Sequence, residues 1–264
     1  MARESPTART HDQVTSRRKR KRRAARPAKP GLEFVVELQP DDVTCGPACL
    51  HGVYRFYGDT VSLRSVIADI RMLDRGGTLE VFLANHALKR GYGVTLFTYN
   101  LDLFDPTWFD LPNEEIRARL NAQAKQKHWR RLQTATRGYD EFLRLGGKLK
   151  LKDLEPAMLR DFLTRGTPVI TGLSATYLYR AMREVPETNV DDEIRGEPVG
   201  HFVVLTGYRP AAREVMIADP LKSNPLSRSR YYAVGVQRLI GAILLGIMTY
   251  DANLLVIEPK SDAR

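Results

Sequence analysis

Hydrophobic residues recur with a regular period only after residue 30 of the chain. The short apolar segment 33–38 predicts a strand, and apolar residues on one face predict a helix from Cys45 to Tyr57. Pro47 suits the first turn of that helix, where its missing N–H costs nothing, and Gly58 suits the C-terminal cap. Three further elements follow: helices over 63–73 and 78–91, and a strand over 94–99.

The last third of the chain consists of short segments rich in β-branched residues and bounded by Gly, Pro or Asn, a pattern typical of strands. These segments cover 168–173, 201–207, 214–219 and 253–258. Between the two regions the chain is helical and heavily charged, and we expect a solvated helical insertion around 113–150. Helices first and strands afterwards predict an α+β fold.

Positive charge is concentrated at the N terminus. The chain of 264 residues carries a formal net charge of +10. Residues 1–30 hold eleven Lys and Arg against two acidic residues, so this segment accounts for +9 and the remainder is nearly neutral. We expect a disordered basic tail over 1–30 and one domain over 31–264. The tail would contact nucleic acid or an anionic surface weakly; a solvated arm without a specific role is the simpler interpretation.

Composition excludes several classes of protein. Two cysteines exclude a disulfide-rich secreted scaffold and favour a reducing compartment. The start of the chain lacks the apolar region of a secretory signal. The most apolar late stretch, 239–248, is far shorter than the ~20 residues that span a bilayer. We therefore expect a soluble, cytoplasmic protein without a membrane span. The phosphate loop, the serine elbow and the HExxH zinc helix are absent from the sequence.

One cysteine stands where thiol chemistry is favoured. Cys45 begins the predicted helix, where unpaired N–H groups and the helix dipole favour a thiolate. Gly46 would leave room for a substrate backbone, and Gln39, six residues before the cysteine, could donate a hydrogen bond to an oxyanion together with the Cys45 N–H. The alternative is a buried cysteine at the start of an ordinary helix, with Gln39 a surface amide.

A thiolate nucleophile also needs a base, and five histidines compete. His201 opens a predicted strand, and the next strand ends at Asp219. An antiparallel hairpin would bring the two side chains to one edge of the sheet, where the carboxylate could orient the imidazole. Alternatively, His201 merely caps a strand and Asp219 starts a turn. The other histidines are less suited, being in the tail, turned away from Cys45, or without an acidic partner at useful spacing: His11, His51, His86 and His128.

Three blocks in this order resemble the C39 peptidases, which are papain-like cysteine peptidases that process bacteriocin leader peptides. The blocks are Gln39 to Leu50, with Cys45-Gly-Pro-Ala-Cys49; Gly200-His201 opening an apolar strand; and Asp219-Pro220 ending the next. The segment 165–170 also resembles the buried strand that precedes the histidine in that family. The resemblance covers 33–110 and 155–258.

The resemblance implies a papain-like fold in which a helix bearing Cys45 packs on an antiparallel sheet bearing His201 and Asp219. It implies Cys45 as nucleophile, His201 as base, Asp219 as the orienting residue and Gln39 as the oxyanion donor. Family members are usually fused to a membrane exporter, whereas this sequence has no such segment. We therefore expect a stand-alone peptidase that cleaves a peptide or protein substrate.

Two other functions use the same features. The chain could be a catalytically silent peptide-binding module, or an acyltransferase that passes the same acyl-enzyme to an amine. We expect no cofactor and no metal. Cys49 lies one helical turn after Cys45 and should pack in the core, and a zinc site from Cys45, Cys49 and His51 would lack a fourth ligand.

Overall fold

The computed structural model describes residues 1, 34–74, 76–250 and 252–260. The helices are α1 (Cys45–Phe56), α2 (Leu63–Asp69), α3 (Glu80–Lys89), α4 (Asn113–Gln126), α5 (Arg130–Arg144), α6 (Pro156–Thr164), α7 (Ala175–Tyr179) and α8 (Val236–Leu245). The strands are β1 (Tyr92–Thr98), β2 (Lys148–Lys150), β3 (Val169–Ser174), β4 (Glu184–Val185), β5 (Val190–Asp191), β6 (Gly200–Arg209), β7 (Glu214–Ala218), β8 (Tyr231–Gly235) and β9 (Asn253–Pro259). Apart from its first residue, the predicted tail over 1–30 lies outside the described residues.

Seven strands form one sheet in the order β2-β1-β9-β3-β6-β7-β8. Among the strands of the described ranges, β1 and β2 form the one parallel pair of this sheet. Helices α1 to α5 cover one face and α6 to α8 the other, so alternate side chains of a strand enter two different cores. On β6, for example, Phe202 and Val204 enter the first core, and Val203 and Leu205 enter the second. Burial on both faces explains why these strands appear as continuous apolar runs in the sequence.

The predicted α+β class is confirmed. Helix α1 begins at Cys45 and packs against β6, whose second residue is His201. Asp219 directly follows β7, the antiparallel neighbour of β6. The expected arrangement, with the cysteine helix packed on an antiparallel sheet that carries the histidine and the aspartate, is therefore present.

The strand predicted over 33–38 is wrong. The described part of this segment forms no strand, and its polar backbone groups bind side chains and a loop instead of a neighbouring strand. The Val36 N–H donates to the Tyr231 hydroxyl at 3.1 Å, and the Val36 carbonyl accepts from Arg230. The Gln39 N–H donates to the Pro220 carbonyl at 3.1 Å. These bonds hold the segment beside the loop that follows β7.

One predicted helix is shorter than expected. The helix expected over 63–73 ends at Asp69, since Ile70 adopts an extended backbone conformation.

The region around 113–150 is helical as expected, but it is not solvated on all sides. Helices α4 and α5 occupy it, and α5 places one apolar face, including Leu132 and Phe142, in the first core. The region is thus packed against the rest of the fold instead of forming a solvated lobe. Its status as an insertion stays a prediction, as does the division into tail and single domain.

Candidate active site

The imidazole of His201 and the carboxylate of Asp219 form a buried pair. Because β6 and β7 are antiparallel and Val204 lies opposite Ala218, the start of β6 and the end of β7 meet at one edge of the sheet. His201 Nε2 lies 2.9 Å from Asp219 Oδ1. The two residues are only 7% and 0% exposed. Nε2 therefore donates to the carboxylate, which leaves Nδ1 as the second ring nitrogen.

The thiol of Cys45 completes this cluster. Helix α1 places Cys45, which is 8% exposed, beside the His201 side chain, where the two groups interact electrostatically. Since Asp219 occupies Nε2, Nδ1 is the nitrogen available to the sulfur. The structure thus brings together three of the four residues predicted from the sequence.

The charges of this cluster reinforce one another. Burial by itself lowers the pKa of His201, but the negative charges of Asp219 and Cys45, with their hydrogen bonds, outweigh it and raise that pKa to about 10. Burial by itself would raise the pKa of Asp219, but the His201 cation and several hydrogen bonds hold it below its usual value. His201 is therefore an imidazolium at neutral pH, paired with the Asp219 carboxylate.

Four donors surround the Asp219 carboxylate. Oδ1 accepts from His201 and from the Leu221 N–H at 2.9 Å. Oδ2 accepts from the hydroxyls of Tyr179 at 2.6 Å and Tyr232 at 2.7 Å. Burial and the Asp219 charge raise the pKa of both tyrosines, so both remain donors. The carboxylate is fixed in one orientation by groups from α7, β8 and the loop after β7.

Sequence patterns did not identify the two tyrosines. Tyr179 is 40 residues and Tyr232 is 13 residues from Asp219, and neither lies in an element that the periodicity predicted. The short helix α7 and the strand β8, which position them, were both missed. A buried carboxylate needs several donors, but the sequence alone does not show which residues supply them.

Gln39 lies beside the cluster without a hydrogen bond to Cys45 or His201. Its N–H bond to the Pro220 carbonyl places it next to the loop that begins at Asp219. Its side-chain Nε2 donates to the Asp41 carbonyl at 2.8 Å, and Oε1 is buried without a hydrogen-bond partner among the described residues. No hydrogen bond joins the Gln39 amide to Cys45 or His201 within the described part of the chain. Nε2 retains a second hydrogen that this bond does not use.

The first turn of α1 supplies backbone donors. The Thr44 side chain makes no capping hydrogen bond, and the first helical bond runs from the Ala48 N–H to the Thr44 carbonyl at 3.1 Å. The N–H groups of Cys45 and Gly46 precede that bond, so no helical carbonyl satisfies them. They point out of the N-terminal end of the helix, where an anion is favoured.

The role expected for Gly46 is wrong. A Cβ at this position would lie 2.9 Å from Thr78 Cγ2 and 3.2 Å from Phe202 Cδ2. The space beside the glycine is therefore filled by the protein and does not admit a substrate. Gly46 is needed because α1 packs closely against β6 and the start of α3.

The second cysteine is confirmed as a core residue. Cys49 is fully buried, and its Sγ donates to the Phe202 carbonyl at 3.3 Å. Burial raises the pKa of its thiol well above the usual value. Both cysteines are free, so the fold contains one thiol in a polar cluster and one in an apolar core.

Two of the remaining histidines have partners elsewhere. His51 Nε2 lies 3.1 Å from the Val61 carbonyl. The expectation that His86 lacks an acidic partner is wrong, because Asp69 Oδ2 lies 3.7 Å from its Nε2 and the Tyr54 hydroxyl 2.7 Å from its Nδ1. His128 lies in the connection between α4 and α5, outside the helix that was predicted for it. In the described ranges no group of three or more His, Cys, Asp or Glu side chains could hold a metal ion.

A buried Cys-His-Asp cluster at the junction of a helix and an antiparallel sheet defines the class of site. The model of the Peptidase_C39 like family matches residues 119–237, and the resemblance predicted from the sequence is confirmed. The matched region includes His201 and Asp219, whereas Gln39 and Cys45 precede it. No curated protein sequence matches the chain.

Similar solved structures include three peptidase domains. The peptidase domain of Streptococcus ComA, a bifunctional ABC transporter involved in quorum sensing, is 13% identical with a TM-score of 0.43, covering 86% of this chain and 100% of that one. A double glycine motif protease from an AMS/PCAT transporter, in complex with its leader peptide, is 15% identical with a TM-score of 0.43, covering 86% and 93%. A C39-like peptidase from Bacillus anthracis is 15% identical with a TM-score of 0.47, covering 87% and 96%.

Among the helices described, none combines the length and the apolar character that crossing a membrane requires.

Proposed function

We propose that the chain is a cysteine peptidase that cleaves a peptide or protein substrate through Cys45, His201 and Asp219. The observation that carries this proposal is the buried His201–Asp219 pair at 2.9 Å, which interacts electrostatically with the cysteine at the start of α1. The match to the C39-like family over 119–237 supports peptide chemistry over other uses of a thiol.

The first half of the reaction is acyl transfer to sulfur. The Cys45 thiolate attacks the carbonyl carbon of the scissile peptide, and the electron pair of the C=O bond moves to oxygen. When this tetrahedral intermediate collapses, the C–N bond breaks and the Nδ1 proton of His201 passes to the leaving amine. The products of this half are a thioester on Cys45 and a neutral His201.

The second half uses the same histidine as a base. Thioester formation removes the sulfur charge, which is one of the groups that raise the pKa of His201. The imidazole therefore remains neutral more readily and can take a proton from the attacking water. The water oxygen bonds to the thioester carbon, the C–S bond then breaks, and the acid product leaves the Cys45 thiolate and the His201 cation restored. Asp219 keeps the ring in one orientation in both halves, since its other three donors fix the carboxylate.

The oxyanion would be bound by the Cys45 N–H and by the Gln39 side chain, whose free amide hydrogen would turn toward the substrate oxygen. We expect Gln39→Ala to lower kcat/KM about 10²- to 10³-fold, since removing one oxyanion donor has an effect of that size. The rate of Cys45 alkylation by iodoacetamide should not change, because that reaction forms no oxyanion. Equal losses in both assays would instead mean that Gln39 maintains the structure of the cluster.

Tyr179 is proposed as a positioning residue that acts through Asp219. Its hydroxyl helps to hold the pKa of Asp219 low, so Tyr179→Phe should raise that pKa and move the acid limb of the kcat/KM profile to higher pH. Tyr208→Phe, at the opposite end of β6, is the matched control and should leave the profile unchanged. A general loss of activity without movement of the acid limb would contradict the assignment.

A cleavage profile tests the proposed function. Cell extract is incubated with the wild-type chain or with Cys45→Ala, and new peptide termini are identified by mass spectrometry. We expect termini that appear only with the wild type. Addition of a primary amine distinguishes hydrolysis from transfer, because a transferase would give amidated products. Identical peptide sets from both proteins would contradict catalysis and favour a binding module.

A further inference from the structure

A cavity of about 390 Å³ lies beside the strand that carries His201. Ser174 in its wall pairs with Gly200, the residue before His201. Helix α7 separates the cavity from the catalytic cluster: Thr176 and Tyr177 line the cavity, and Tyr179 donates to Asp219. The volume is in the range of small-ligand sites. Through the Ser174–Gly200 pair, the wall of the cavity thus lies one residue along β6 from His201.

Two arginines give the cavity a positive charge. Neither Arg180 nor Arg238 forms an ion pair within the described part of the chain, and no acidic residue lines the cavity. One Arg238 guanidinium nitrogen donates to the Leu178 carbonyl, whereas its Nε is buried without a hydrogen-bond partner among the described residues. A buried donor without an acceptor is costly, and a guanidinium fork matches the two oxygens of a carboxylate. This charge favours a carboxylate as the ligand.

Apolar side chains form the other wall. Tyr177, Leu245 and Met248 line the cavity and are 45%, 39% and 58% exposed. Large apolar side chains exposed beside a concave surface are typical of binding sites. Together with the arginines they complement a peptide segment that presents an apolar side chain next to a carboxylate.

We propose that this cavity is a substrate subsite that selects peptides bearing an apolar residue and a carboxylate near the scissile bond. The inference rests on the proposed function, because it assigns the occupant as part of a peptide substrate. The carboxylate comes from an acidic side chain or from the C terminus of the peptide; both sources offer the same two oxygens.

Peptide binding to full-length Cys45→Ala tests the subsite without requiring catalysis. Three fluorescein-labelled hexapeptides are compared by fluorescence polarisation: Gly-Gly-Leu-Leu-Glu-Leu amide, the same peptide with Gln for Glu, and that Gln peptide with a free C terminus. We expect the Glu amide or the Gln free acid to bind about tenfold more tightly than the Gln amide, a size typical of hydrogen bonds to a charged group. Which of the two binds tightly identifies the source of the carboxylate.

Variants locate the effect. In the Arg180→Gln/Arg238→Gln double variant the preference for a carboxylate should disappear, whereas Arg137→Gln, which removes one positive charge from α5, should retain it. If the Arg238→Gln variant does not fold, the peptide preference is measured in the single variant Arg180→Gln. Arg180 is exposed at the end of α7, so its replacement should leave the fold intact. Equal binding of the three peptides, or a preference that survives loss of the arginines, would overturn the subsite. Alkylation of wild-type Cys45 is measured separately, so failure of the peptidase proposal is distinguishable from failure of the subsite.

Discussion

Replacing His201 with alanine is expected to reduce kcat/KM for peptide cleavage at least about 10³-fold. The variant lacks both the imidazolium that favours the Cys45 thiolate and the proton donor for the leaving amine. Among the described residues, His51 and His86 are engaged elsewhere, with the Val61 carbonyl and the Tyr54 hydroxyl, and His128 is exposed in the connection between α4 and α5. The rate is measured on a peptide taken from the cleavage profile.

The matched control for this loss is His128→Ala. His128 is exposed in the connection between α4 and α5, so its removal should change kcat/KM less than twofold. A reduction of less than tenfold in His201→Ala would contradict the assignment of His201 as the base. An equal reduction in both variants would point to a general effect on the protein.

Replacing Asp219 with alanine is expected to affect stability as well as catalysis. The change leaves a buried His201 cation, two tyrosine hydroxyls and the Leu221 N–H without their acceptor. Removing one partner of a buried ion pair typically lowers the free energy of unfolding by about 3–5 kcal/mol. Urea unfolding measures this loss, and Asp219→Asn, which keeps the shape and an acceptor oxygen, should recover part of it.

The catalytic activity of Asp219→Asn should not recover, even though its stability does in part. Asparagine cannot balance the imidazolium charge, so we expect Asp219→Asn to remain about 10²- to 10⁴-fold below wild type in kcat/KM. If Asp219→Asn restored both stability and activity to wild-type levels, the carboxylate charge would have no role in the reaction.

The same pair makes stability depend on pH. The pKa of His201 is raised to about 10, so its contribution is complete below the unfolded value of about 6.5 and is lost as the pH rises toward about 10. The pKa of Asp219 is lowered, so its contribution is present above about 3.9 and is lost as the pH falls through its folded value. Urea titrations of wild type should therefore show a decline on the alkaline side that flattens in Asp219→Asn.

The residues that sequence analysis placed correctly belong to local patterns. Pro47 and Gly58 mark the ends of α1, and Gly58 does adopt the left-handed conformation, with φ of 78°. The apolar runs that became β6 and β7 are adjacent in the chain, and a short connection makes antiparallel pairing the expected outcome. The meeting of His201 and Asp219 follows from that hairpin.

What sequence analysis missed depends on contacts between distant segments. Tyr179 and Tyr232 reach Asp219 only because α7 and β8 lie on either side of it. The segment before Gln39 has the composition of a strand, but side chains from β8 and the preceding loop satisfy its backbone groups. The need for glycine at position 46 follows from the close approach of the Thr78 side chain, which no spacing in the sequence reveals.

The rate of Cys45 alkylation by iodoacetamide at pH 6 shows whether Cys45 is an activated nucleophile. An ordinary thiol, with a pKa of about 8.5, is almost wholly protonated at this pH and reacts slowly. Fragmentation of the peptide that carries both cysteines locates the label at Cys45 or Cys49, and urea-denatured protein shows that both sites can be detected. We expect Cys45 to react at least about tenfold faster than free cysteine and His201→Ala to abolish this advantage. A wild-type Cys45 that reacts no faster than free cysteine and is unaffected by His201→Ala would contradict the assignment of Cys45 as an activated nucleophile.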